Sequence, residues 1–136
     1  MSFSASAKLK GSEIQTVVAW HEALNSGDVE RLIRLSHPDI EVAGPRGTGH
    51  GVRILREWVE RANVRLEPGC TFHEAETVVV EQGAEWQTAE PGGTQTVASV
   101  FTVREDLVTS VVRYPDLASA LHAAKNLDES HEKSPG

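Results

Sequence analysis

Arg113 and Asp116, three residues apart in the stretch RYPD, carry side chains able to orient a small polar molecule and to move a proton on it. A guanidinium presents five donors in a rigid fork that suits a carboxylate, carbonyl or phenolate. An aspartate beside it serves as general acid or base when its surroundings tune it. Each residue also has a structural reading. Asp after a strand and before an apolar helical stretch is a helix start signal, and a buried Arg113 needs an acceptor, with Glu74, Glu76, Glu85 and Asp116 as internal candidates.

The remaining reactive types are scattered. His21, His37, His50, His73, His122 and His131 show neither HxH nor HExxH spacing, and Cys70 is the single cysteine, so no metal site is expected. His21 falls on the apolar stripe of a helix, the position of a hydrogen-bonded core group more than of a base. Cys70, between Gly69 and Thr71, lacks the electropositive niche that a reactive thiolate needs. Residues 44–49 hold three glycines without the order of a phosphate cradle and read as a connector; no cofactor is expected. Trp20 and Trp58 each sit on a helix face with core aliphatics. They are either core or the wall of a site, where a rigid apolar surface with one N–H donor suits a ring-shaped ligand. The face of Trp86 stays open.

The elements that must position these residues follow from periodicity. Residues 95–104 and 107–114 read as two Val/Thr-rich strands joined at Arg104-Glu105-Asp106. Alternation puts Val97, Ser99, Phe101 and Val103 on one face with Leu107, Thr109, Val111 and Arg113. Thr96, Ala98, Val100 and Thr102 share the other with Val108, Ser110, Val112 and Tyr114. Upstream, a capping box at Ser12 and Gln15 opens a first helix that ends at Asn25-Ser26-Gly27. Asp28 caps a short helix over 29–35, and a third spans 52–62 through Val52, Leu55, Trp58, Val59 and Ala62. Strands are expected at 40–43, 64–66, 71–81 and 84–89, with turns at Pro68-Gly69, Gln82-Gly83 and Pro91-Gly92-Gly93, and a last amphipathic turn or helix at 116–125. Residues 1–11 and 126–136 read as loose tails around a single domain at 12–125.

Helices followed by strands in hairpin succession mean α+β, with helices on one face of the sheet. The face of Thr96, Ala98, Val100 and Thr102 is then open and apolar, and a homodimer through the sheet is the expected cover. At 136 residues the chain has room for one domain. A net charge of −7 and a pI near 5.3 argue against nucleic-acid binding. No apolar run reaches the ~20 residues of a membrane span. One cysteine and no secretory signal point to a cytoplasmic setting.

The segments AWHEALNSGDVERLIRLSHPDIEV, GTGHGVRILREWVERA and VFTVREDLVTSVVRYPDLASALHAA resemble the signature stretches of the nuclear transport factor two-like superfamily, and within it the SnoaL-like proteins. The resemblance covers about residues 12–125. It implies a cone-shaped alpha+beta barrel: a curved mixed or antiparallel sheet wrapped around about three helices, with an internal pocket and frequently a dimer through the sheet. The ketosteroid isomerase positions correspond to Trp20, Gly44 and Ser99, none able to serve as its tyrosine donor or its aspartates. The limonene epoxide hydrolase set lacks strand-borne Asp, and the scytalone dehydratase set needs paired histidines and tyrosines where this chain has a single tyrosine. Asp116 resembles the acid/base aspartate of SnoaL-like polyketide cyclases. Alternation and the implied curvature together place Trp20, Trp58, Ser99, Phe101, Val111 and Arg113 around the pocket. The expectation is a small-molecule-binding protein for an apolar ring compound with an anionic or carbonyl group, or else a cyclase or isomerase using Asp116.

Overall fold

Two apolar faces on one sheet require two covers, and the computed structural model shows the chain supplying both from its own helices. It describes residues 3–44, 47–62, 64–86 and 94–133. Helix α1 (Phe3–Ser26) and the short α2 (Val29–Arg34) lead into β1 (Ser36–Gly44) and β2 (Gly47–His50). Helix α3 (Val52–Ala62) follows, then β3 (Val64–Glu74), β4 (Thr77–Trp86), β5 (Thr94–Arg104), β6 (Leu107–Tyr114) and α4 (Leu117–Lys133). The sheet order is β2-β1-β6-β5-β4-β3. All neighbours are antiparallel except β1 and β6, which run parallel. This is the expected α+β class, and β2 and β3 remain its edges: the sheet is open and does not close into a barrel.

Alternation decides what each face buries. On the inner face Val78, Val80, Ala84, Val97, Phe101, Val103 and Val111 pack with Val17, Trp20 and Leu24 of α1, Leu32 of α2 and Leu55 of α3. On the outer face Val79, Ala98 and Val100 pack with Leu117, Ala120, Leu121 and Ala124 of α4. Helices therefore lie on both faces. The apolar strip from which a homodimer was expected is covered at Ala98 and Val100 by the chain's own C-terminal helix, whose small Ala120 and Ala124 allow close approach, while Thr102, Ser110 and Val112 stay half-buried beside it.

Local punctuation explains several boundaries. Gly27, at φ 77°, ends α1 in the left-handed region as expected. Asp28 caps α2, its Oδ1 accepting from Arg31 N at 3.1 Å. Helix α1 begins at Phe3, ahead of the expected cap at Ser12, and so runs through most of the stretch read as a tail. FSASAKLK is free of proline, and one internal Gly11 costs a helix only about 1 kcal/mol. Helix α4 likewise continues to Lys133. The glycine connector contributes β2, which pairs with β1 from Gly44↔Gly47 to Glu41↔His50. Gln82-Gly83 is strand interior: β3 and β4 turn at Ala75-Glu76, with Ala75 at φ 54°, and the irregularity at Pro68 is a bulge inside β3. The expected turn at 91–93, the strand end at 87–89, the hairpin tip at 45–46, residues 134–136 and the side chain of Trp86 lie outside the described residues.

The hairpin between β5 and β6 carries one correction of register. Arg104 pairs with Leu107, leaving Glu105 and Asp106 as the two turn residues, both at positive φ (53° and 66°). That is a type I′ geometry built without glycine. Pairing then slips between Thr102↔Ser110 and Val103↔Val108. Val108, expected on the outer face, is consequently buried in the inner core, while Thr109, expected inside, joins Ser110 along the outer face. Beyond the slip the expected register holds, with Ser99↔Arg113 and Phe101↔Val111 on the inner face.

Two predictions follow from these covers and turns. Replacing Glu105 with Asn and Asp106 with Gly relieves left-handed backbone and raises stability by about 1 kcal/mol in urea titration; a lowered midpoint would refute the turn assignment. Ala120→Glu, which puts a charge at a fully buried site on α4, should loosen that helix from the sheet. Sedimentation velocity should then show self-association beyond wild type, and an unchanged profile would mean that α4 is not what covers Val79 and Val100.

Candidate functional site

Trp20 is the hub of the inner face. Its ring is fully buried, meets Phe101 edge-on at 5.3 Å between centroids and stacks on Trp58 at 6.5 Å with 26° between planes. Its indole N–H donates to Ser36 Oγ at 3.1 Å, and the Ser36 hydroxyl donates to Leu32 O at 2.8 Å. The donor proposed for a ligand is thus used to join α1 to the start of β1. Trp58, on the amphipathic α3, stays half-exposed beside it.

A polar chain runs through the same core. His21 Nδ1 lies 2.8 Å from the Val17 carbonyl oxygen, which can only accept, so Nδ1 carries the hydrogen. Nε2 is then the acceptor for the Gln82 amide N–H at 2.8 Å. Gln82 Oε1 is left to accept from the Ser99 hydroxyl at 2.9 Å. All three side chains are buried, at 1–2 % exposure, and burial pushes the His21 imidazole below its ordinary range, against smaller raising effects of the Val17 bond and Glu67. His21 is therefore the neutral core group that its place on the helix stripe suggested. Gln82 was missed: Val78, Val80, Gln82 and Ala84 alternate inward, a signal masked by reading Gln82-Gly83 as a turn. Nearby, the Asn25 side chain donates to Leu66 O and accepts from Leu66 N, both at 2.8 Å, tying the end of α1 to the edge strand β3.

Six of the expected site residues lie on the inner side of the sheet. Arg113 and Val111 are cross-strand neighbours of Ser99 and Phe101, and Phe101 touches Trp20, which stacks on Trp58. Ser99, Phe101, Val111 and Trp20 are buried, whereas Trp58 and Arg113 are half-buried. Asp116 stands apart. It is fully exposed, and its Oδ1 accepts from Ser119 N at 2.8 Å as the cap of α4. That backbone bond holds its carboxyl below the usual aspartate value. Cys70 is exposed, and no metal-binding cluster occurs among the described residues.

On the opposite face of the sheet, a groove of about 710 Å³ opens beside α4. Val100 and Val112 form its floor, with Tyr114, Ser110, Glu41 and Arg104 around it.

An open mixed sheet with a helical layer on its inner face defines the nuclear transport factor two-like class of α+β proteins. The chain belongs to the SnoaL-like family: the SnoaL-like domain profile matches residues 17–111. Among solved structures it is similar to a nuclear transport factor two-like protein of unknown function from Cytophaga hutchinsonii, at 17 % identity and TM-score 0.69 over 79 % of this chain and 92 % of that one. TerC, crystallised with polyporic acid, is 22 % identical with TM-score 0.69 over 82 % and 96 % of the two chains. A candidate polyketide cyclase from Sinorhizobium meliloti is 22 % identical with TM-score 0.65 over 73 % and 93 %. No functionally curated protein matches. No helix among the described residues is long and apolar enough to cross a membrane.

The neutral state of His21 makes a pH prediction. With its folded value lowered, the unfolded chain binds the extra proton first as pH falls below an imidazole's ordinary ~6.5. The His21 contribution is therefore intact above that pH and is lost below it, at up to about 1.4 kcal/mol per pH unit, until the folded state also protonates. Urea midpoints at pH 7.5 and 5.0 should fall more steeply for wild type than for His21→Gln. Equal slopes would mean that His21 does not titrate with unfolding.

Proposed function

We propose that this protein binds a small apolar ring compound bearing an anionic or carbonyl group, held on the inner face of the sheet. Trp58 supplies the ring surface and Arg113 the orienting fork, with Phe101, Val111 and Ser99 behind them and Trp20 as the rigid backing. The observation that carries the reading is the Trp58–Trp20 stack: a half-exposed indole is braced by a fully buried one, so its orientation is set before any ligand arrives. Pre-ordered aromatic area of this kind reduces the entropy cost of binding. Family membership and the likeness to a candidate polyketide cyclase and to TerC support the ligand class.

The cyclase-type alternative asks Asp116 to act as acid and base. Its carboxylate is fully exposed and already accepts the Ser119 backbone N–H as the cap of α4, outside the shielded setting in which an aspartate is tuned for acid–base work. Binding without chemistry at Asp116 is therefore the preferred reading. Polyporic acid, the ligand crystallised with TerC, is a suitable first probe. Titration should quench tryptophan fluorescence; Trp58→Ala and Arg113→Met should each weaken binding at least tenfold, whereas Asp116→Asn should leave it unchanged. Unaltered affinity in Trp58→Ala and Arg113→Met would remove the inner face from the function.

A further inference from the structure

The groove on the outer face is separated from the inner surface by the thickness of the sheet, and its chemistry is different. Its volume, about 710 Å³, is in the range of small-molecule sites. The floor is aliphatic, Val100 and Val112, and Tyr114 adds an aromatic ring. Two lining residues carry charge. Arg104 is engaged, its Nε 2.9 Å from Glu76 Oε1. Glu41 is half-buried and accepts a hydrogen bond from the neutral Ser110 hydroxyl, 3.1 Å from Oε1, and it forms no ion pair among the described residues. Glu41 and Ser110 are direct partners across the parallel β1–β6 pairing, so the carboxylate is braced by backbone register as well as by its hydrogen bond.

A half-buried carboxylate beside an apolar floor and an aromatic ring is complementary to one kind of occupant. We propose that this groove is a second binding site and that it takes a small organic cation, an amine with an aromatic or hydrocarbon body. The ammonium group pairs with Glu41 and donates to the hydroxyl oxygen of Ser110, while the body lies on Val100 and Val112 with the Tyr114 ring available for cation–π contact. Partial desolvation strengthens the charge pairing relative to an exposed surface pair. A carboxylate ligand is disfavoured at the same place by repulsion from Glu41, so this site and the inner face select opposite charges.

The test uses the full chain at pH 8 and low salt, with phenethylammonium as probe and phenethyl alcohol as its uncharged counterpart. Calorimetry should show the cation binding at least tenfold more tightly than the alcohol. NMR resonances of Val100, Val112 and Ala123 should move, and those of Val97 and Val111 should not. Glu41→Gln should abolish the preference, leaving cation and alcohol alike. Val112→Trp, which fills the groove without touching the charge, should block both. Equal affinity of the two probes for wild type, or shifts confined to the inner face, would overturn the proposal. So would a sedimenting dimer whose groove resonances do not respond, which would assign the face to a second copy of the chain.

Discussion

A buried imidazole that must stay neutral has one hydrogen to give and one lone pair to fill, and much of this fold is arranged around that constraint at His21. Because the Val17 carbonyl takes the hydrogen on Nδ1, the direction of every later bond is determined: Gln82 turns its amide nitrogen to His21, its oxygen to Ser99, and Ser99 its hydrogen to Gln82. The chain joins α1 to β4 and β5, with the donor and acceptor of each of these three bonds fixed in turn. In low dielectric each such bond is strong, and each missing one costs about 1–3 kcal/mol. The helix cannot slide or rotate without breaking several at once.

The other ties of α1 follow the same logic. The indole of Trp20 reaches Ser36 and, through it, the end of α2. The Asn25 amide copies a strand partner for Leu66 at the exposed edge β3. One helix is thus fastened to three parts of the sheet by directional bonds, while its apolar stripe supplies the bulk of the burial. Trp20, so held, is the ring on which the half-buried Trp58 stacks.

The outer face is governed by α4. By covering Val79, Ala98 and Val100, it removes part of an apolar surface that a bare sheet would leave open. It also creates a wall beside Val112 and Ser110, so the same helix that closes one part of the face makes a groove of the rest. The bulge at Thr109 contributes by turning two consecutive polar side chains toward that groove and moving Val108 inward.

Period-two alternation was legible directly: Ser99, Phe101, Val111 and Arg113 share a face because successive side chains on a strand have no alternative once the pairing is set. The α+β class, the Asp28 cap and the Gly27 stop were legible for equally local reasons. Resemblance to the SnoaL-like family extended that reading to the architecture. What alternation could not reveal was the slip at Thr109, since a bulge arises from how two strands twist together and not from either one alone. The role of Gln82 was hidden because Gln-Gly reads locally as a turn and becomes strand interior only through its pairing with β3 and β5. Asp116 carried two chemistries in the sequence, and its hydrogen bond to Ser119 shows that it caps α4. The cover of the outer face was likewise a tertiary decision. An amphipathic C-terminal segment needs an apolar surface, but which surface depends on where β6 ends and on how much of the sheet the other helices already occupy.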